Sequence, residues 1–168
     1  KGDWIEVEGN LGEVVDISVL STRIRTRTNV EYLVPNSSFV ANTIVNYSLS
    51  SPMIWTGVNV GVSYGSDPRE VERILLEVAG REPMASRQLP PRVLFTEFAD
   101  SSLNFRLLVW IDARRFAERV VHSALYFAIF EEFKKAGIEI PFPQRDIHIR
   151  TPAAKDPVLP KPAEDSKP

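Results

Sequence analysis

The hydrophobic period of the chain changes once, near Ser48 to Pro52, and this single change commits it to two differently built modules. Before that point, residues 3 to 47 read as short strands. Trp4, Glu6 and Glu8 alternate with Ile5 and Val7, Gly9-Asn10 marks a turn, and Glu13 to Val19 resumes the extended pattern. Thr22 to Thr26 and Val30 to Val34 predict a hairpin turning at Thr28-Asn29 and broken by Pro35-Asn36-Ser37. Thr43 to Tyr47 completes a set of five strands. Five short strands with little helix predict a small, Sm-like β-barrel, because closure removes the edges that an open sheet leaves.

After Pro52 strands and helices alternate. Ile54 to Val62 reads as a strand. Ser66-Asp67-Pro68-Arg69-Glu70 then opens a helix, with Asp67 as N-cap, Pro68 in the first turn and Glu70 placed to close a capping box. Val71, Ile74, Leu75 and Val78 make one face apolar, and Gly80 is placed to end the helix. Val93 to Phe98 and Leu103 to Ile111 predict a hairpin about Ala99-Asp100-Ser101, with residues 107 to 111 apolar on both faces and therefore central.

A second helix is predicted from near Asp112 to Ala136, with Lys134 and Lys135 at its negative end and Gly137 at the C′ position. Phe116, Val120, Ala124 and Phe127 form one apolar stripe on it, and Val121, Leu125, Ile129 and Phe133 form another beside it. Such breadth requires more than one covering surface. Ile138 to Ile140 and Ile147 to Ile149 read as two more short strands, giving the β-α-β-β-α-β order of a ferredoxin-like split α/β sandwich. From Thr151 the chain carries Pro152, Pro157, Pro160, Pro162 and Pro168 with few apolar residues, which predicts an extended, flexible tail. The resulting division is a β domain at 1–50, an α/β domain at 51–145, and a C-terminal strand with a Pro-rich tail at 146–168.

Charge and chemistry narrow the function. A net charge of −2 provides no global field for gathering nucleic acid or anionic lipid. Without cysteine there is no disulfide, thiolate metal site or cysteine nucleophile. The longest apolar run, Ala124 to Phe130, is far shorter than the roughly 20 residues of a spanning helix. Lys1-Gly2-Asp3-Trp4 reads directly into a strand without a secretory signal, as in a piece of a longer polypeptide. His122 and His148 have no partner at metal-binding spacing, Ser37 and Ser38 lack a nucleophile elbow, and Gly57, Gly61 and Gly65 match no phosphate-binding pattern. The reading is therefore of a protein that is not an enzyme, with no catalytic, cofactor or metal residue.

Two features bear on partners. No charged side chain occurs from Tyr32 to Ser66, which fits either two buried strands with polar loops or a surface facing another subunit. Arg23, Arg25 and Arg27 alternate and so project from one strand face, with Glu6, Glu8 and Glu13 on neighbouring strands placed to pair with them. An RNA-binding module is the alternative reading, since small barrels and split sandwiches both host RNA sites.

Particular strings carry a resemblance. Gly2-Asp3 with Trp4 to Val7, Gly12 to Ile17, Ser21 to Thr26, Val34-Pro35-Asn36-Ser37 and Ile44 to Ser48 closely resemble the middle β domain of small-conductance mechanosensitive channels. Val60 to Pro68 and Ala136 to Gln144 resemble the α/β domain of the same family, in the same order. The resemblance points to Gly12, Arg23, Pro35, Asn36, Asn46, Gly137, Pro141, Pro143 and Gln144 as family-motif structural positions. It implies a homo-heptamer forming a hollow vestibule on the cytoplasmic side of the bacterial inner membrane, attached to membrane helices and passing ions and small osmolytes. It further implies that residues near Asp146 to Arg150 supply one strand each to a terminal barrel, and it calls for no cofactor and no nucleic acid.

Overall fold

The computed structural model describes residues 1–143. The first sheet contains β1 (Trp4–Val7), β2 (Asn10–Ile17), β3 (Ser21–Arg25), β4 (Glu31–Pro35) and β5 (Val45–Asn46), with helix α1 (Asn36–Ala41) between the last two. It is antiparallel throughout, in the order β4-β3-β2-β1-β5. The turn joining β1 to β2 is Glu8-Gly9, with φ of 51° and 77°, one residue earlier than the sequence pattern suggests. Two successive left-handed residues give a hairpin whose twist matches its strands. Thr28-Asn29 does form the β3–β4 turn, with Asn29 at φ 63° and its amide bonded to the Thr26 carbonyl at 3.0 Å. Ile5, Val7, Val14, Ile24 and Val34 form the core of this sheet.

The expected closed barrel is not what these strands build. β4 and β5 remain separate edges, and the chain passes between them through α1 rather than through another strand pair. Phe39 and Ile44 from this crossing segment pack on the core, filling the space that strand closure would otherwise seal.

The second sheet has β6 (Met53–Val62), β7 (Arg92–Phe98) and β8 (Leu103–Asp112) in the antiparallel order β6-β8-β7. Helices α2 (Pro68–Arg81) and α3 (Glu118–Ala136) complete the module. Val58 and Val62 of β6, Leu107 and Ile111 of β8, Leu75 of α2 and Leu125 of α3 are among the residues of its core. β8 is central, as its composition requires, but buries only alternate residues. Its other face carries Trp110 against Trp55 of β6, ring centroids 4.5 Å apart.

Local details depart from the split-sandwich expectation. Ile138 to Ile140 is not a strand among the described residues, although the Glu139 carbonyl accepts the Ser63 amide at 2.9 Å. The strand expected at Ile147 to Ile149, together with Gln144, His148 and the tail, lies outside the described residues. α3 starts at Glu118 rather than near Asp112, because the β6–β8 ladder runs on to the Met53–Asp112 pair. Asp112 instead caps a turn, its carboxylate accepting the Arg114 amide at 2.9 Å. In α2, Asp67 caps as expected by accepting the Arg69 amide at 2.9 Å. Glu70 does not close a capping box; it pairs with Arg73 at 2.6 Å. Gly80 lies inside α2, whose last turn is closed by the Glu82 amide on the Val78 carbonyl at 3.2 Å. Gly137 ends α3 in the left-handed region at φ 70°, where its missing Cβ removes the usual strain.

Candidate functional site

α3 presents two apolar rows with different fates. Val121, Leu125, Ile129 and Phe133 are buried against the sheet. On the opposite side Val120 is 57%, Tyr126 49%, Phe127 71% and Phe130 57% exposed. The predicted stripe of Phe116, Val120, Ala124 and Phe127 thus divides: Phe116 packs against the core, whereas Val120 and Phe127 face outward. Tyr126 and Phe130 join the outward face without having been singled out. Their signal was the i, i+4 spacing between them. Arg119, His122 and Ser123 complete a shallow hollow beside these aromatics.

At the N-terminal end of α3 the two sheets meet. Arg27, two residues past β3, lies over the Trp4 ring at 4.1 Å from its centroid. Its Nη2 donates to the Phe116 carbonyl at 3.0 Å and also to the Ala113 carbonyl. Burial pulls the Arg27 pKa below its ordinary value, and the nearby Asp112 charge opposes that shift. Thr56, buried on β6, donates to Glu118 Oε2 at 2.8 Å and stands 2.6 Å from His122 Nε2. With its single hydroxyl proton on Glu118, Thr56 accepts from His122, so Nε2 carries the imidazole proton. His122 is therefore a junction donor. Among the described residues no group of three or more His, Cys, Asp or Glu is gathered to hold a metal.

The three arginines do not form the shared patch anticipated from their alternation. Arg23 and Arg25 both turn to Glu31, at 3.8 and 2.8 Å, while Arg27 leaves for the junction. Two of the three anticipated acids are otherwise engaged: Glu8 accepts from Asn42 at 3.1 Å and Glu6 from the Tyr47 hydroxyl at 2.9 Å, while Glu13 lies opposite Arg25 in the β2–β3 register. The Tyr47–Glu6 bond raises the Tyr47 pKa above its ordinary 10.0, helped by burial and by the charges of Glu6 and Glu118. The folded state holds the phenolic proton more tightly than the unfolded chain does. Its stabilisation is complete below pH about 10 and is lost as pH rises through the folded value. Tyr47→Phe is expected to cost about 1 kcal/mol at neutral pH. In urea titrations the gap between wild type and variant should close above pH about 10; a gap that stays constant would mean the bond carries no such linkage.

The family-motif positions have local structural surroundings. At Gly12 a Cβ would stand 2.6 Å from the Arg25 carbonyl oxygen, so β2 and β3 approach there only with glycine. Arg23 sits mid-β3, and Pro35 ends β4 as the N-cap of α1. Asn36 holds the β2–β3 loop, donating to the Ser18 and Val19 carbonyls at 2.9 and 3.0 Å and accepting from Thr22 at 2.8 Å. Asn46 donates to Asp3 at 3.0 Å and accepts the Ser48 amide at 2.9 Å, tying β5 to the chain start. Gly137 is the α3 cap described above, Pro141 and Pro143 follow it in irregular backbone, and Gln144 lies outside the described residues.

Comparison with known proteins decides the family. Residues 57–140 match the family model described as mechanosensitive ion channel MscS, C-terminal, and residues 1–49 match that of the mechanosensitive ion channel beta-domain. The chain belongs to the MscS family. Among MscS-family proteins, the small-conductance mechanosensitive channel of Edwardsiella ictaluri is 32% identical over 152 residues, covering 88% of this chain and 51% of that one. Mechanosensitive channel MscK of Escherichia coli is 30% identical, covering 88% of this chain but 13% of its own length. The crystal structure of Helicobacter pylori MscS in the closed state superposes with a TM-score of 0.76 at 30% identity, covering 90% of this chain and 59% of that one. The chain thus spans about half the length of the small-conductance relative it matches. No helix of the described residues is long and apolar enough to cross a membrane. The comparisons lend the RNA-binding alternative no support.

Proposed function

We propose that this chain is the cytoplasmic vestibule segment of a tension-gated small-conductance mechanosensitive channel in a bacterial inner membrane. Copies assemble into a ring, a heptamer on the family pattern, that supports the pore and filters the ions and small osmolytes passing it. The observation that carries this reading is the collinear match of both family models along one chain. Within it, residues 1–50 and 51–145 act as separate β and α/β domains, residues 146–168 supply the terminal strand and tail, and the motif positions from Gly12 to Gln144 act structurally.

The outward face of α3 supports assembly. The exposed Val120, Tyr126, Phe127 and Phe130 give this face an aromatic-rich apolar surface, the composition of an interface core rather than of a solvated helix. Tension itself does work on membrane helices, so this segment biases gating only through its attachments and its differential contacts in closed and open states. The channel containing this segment is expected to give tension-activated currents in patched membranes. Correctly inserted protein that stays silent up to membrane rupture overturns the proposal.

A further inference from the structure

The junction between the sheets borders a half-open cavity of about 500 Å³ that the vestibule role does not use. Trp4, Leu11 and Tyr47 line it from the first sheet and its flank; Ile54, Ala113 and Phe116 line it from the second module. That volume and apolar lining, with a few polar groups, match the size and character of small-molecule sites, which favour domain junctions.

The polar groups on its wall select the sign of charge. Arg27, Arg119 and Glu118 all line the cavity, so two guanidinium groups face one carboxylate. Glu118 is already engaged by Thr56, and Arg27 by the Ala113 and Phe116 carbonyls. Arg119 has no hydrogen-bond or ion-pair partner among the described residues. His122 also lines the wall, with its Nε2 committed to Thr56. Among the described residues Arg119 is thus the lining cation left without a partner, beside aromatic and aliphatic surface.

We infer that this cavity binds a small amphipathic monoanion, its apolar body against Trp4, Ile54 and Phe116 and its carboxylate on Arg119. A guanidinium matches a carboxylate as a fork of two N–H donors, which fixes orientation as well as charge. Because the walls come from both modules, an occupied cavity favours the arrangement that brings them together, and the ligand becomes a regulator of the junction.

The body could be a flat aromatic acid or an alkyl acid, and calorimetry on the purified chain distinguishes them. Naphthoate and decanoate are titrated separately, with naphthylmethanol as the uncharged counterpart of the first. Saturable one-to-one binding of at least one acid is expected, and the tighter acid identifies the body. Arg119→Ala should weaken it at least about tenfold, since hydrogen bonds to charged groups are worth that much. Arg119→Lys should recover part of the loss. Arg106→Ala, which removes a positive charge outside the cavity, should leave binding unchanged. Melting curves of each variant verify the fold, which the exposed position of Arg119 protects. Absence of saturable binding by both acids overturns the inference, as does equal affinity for naphthylmethanol or an Arg119→Ala variant that binds like wild type. A general loss on removing Arg106 also overturns it, because the attraction is then diffuse. None of these measurements needs channel activity, so their failure leaves the family assignment and the vestibule proposal standing.

Discussion

Replacing Phe127 and Phe130 together with aspartate is expected to abolish self-association of the chain while leaving its melting temperature nearly unchanged. Both rings project from α3 away from the core row of Val121, Leu125, Ile129 and Phe133. Their removal therefore costs the monomer little. At an interface each fully covered Phe contributes about 1.5–3 kcal/mol, and introducing a carboxylate there adds a desolvation penalty. Loss of both should raise the dissociation constant at least about a thousandfold. Light scattering over a concentration series reads this directly: wild type should grow in mass with concentration and the double variant should stay monomeric. If wild type is monomeric throughout, or the double variant assembles equally well, α3 is not the assembly surface.

The parts of the fold that depend on local pattern were legible in the sequence. Alternation located the strands of both sheets, and the Asp67-Pro68 start and the Gly137 stop of the helices are set by cap chemistry confined to a few residues. What escaped was decided by partners far along the chain. Asp112 has the chemistry of an N-cap, but its pairing with Met53 keeps it in the sheet and delays α3 to Glu118. Arg27 continues the alternation of Arg23 and Arg25, yet β3 ends at Arg25 and the turn closed by Thr26 and Val30 redirects Arg27 onto Trp4 and the second module. Barrel closure failed for a similar reason: Pro35-Asn36-Ser37 reads as a strand breaker, but whether a helix or another strand follows depends on what Phe39 can pack against. The junction cavity is the extreme case, since its walls are more than a hundred residues apart and no periodicity connects them.

Two identical substitutions should move stability in opposite directions because the glycines meet different surroundings. Gly57 lies in β6 opposite Leu108, and a Cβ there would press on the Leu107 carbonyl oxygen, with Leu107 C and Leu108 Cα both at 3.0 Å. These are backbone atoms of the central strand, so no side chain can rotate aside to relieve the overlap. Gly57→Ala must push β6 and β8 apart where Val58 and Leu107 bury their side chains, at a cost of ~3 kcal/mol or more. Gly80 sits inside α2, exposed, with nothing within 4 Å of the added atom. There alanine reduces the freedom of the unfolded chain and improves helix propensity, a gain of ~1 kcal/mol. For a domain of this size the expected shifts in melting temperature are a fall of about 10–20 °C for the first and a rise of about 5 °C for the second. Thermal melts followed by circular dichroism decide the matter: a Gly57→Ala variant melting within about 2 °C of wild type would show that the β6–β8 pair has room the close backbone approach denies.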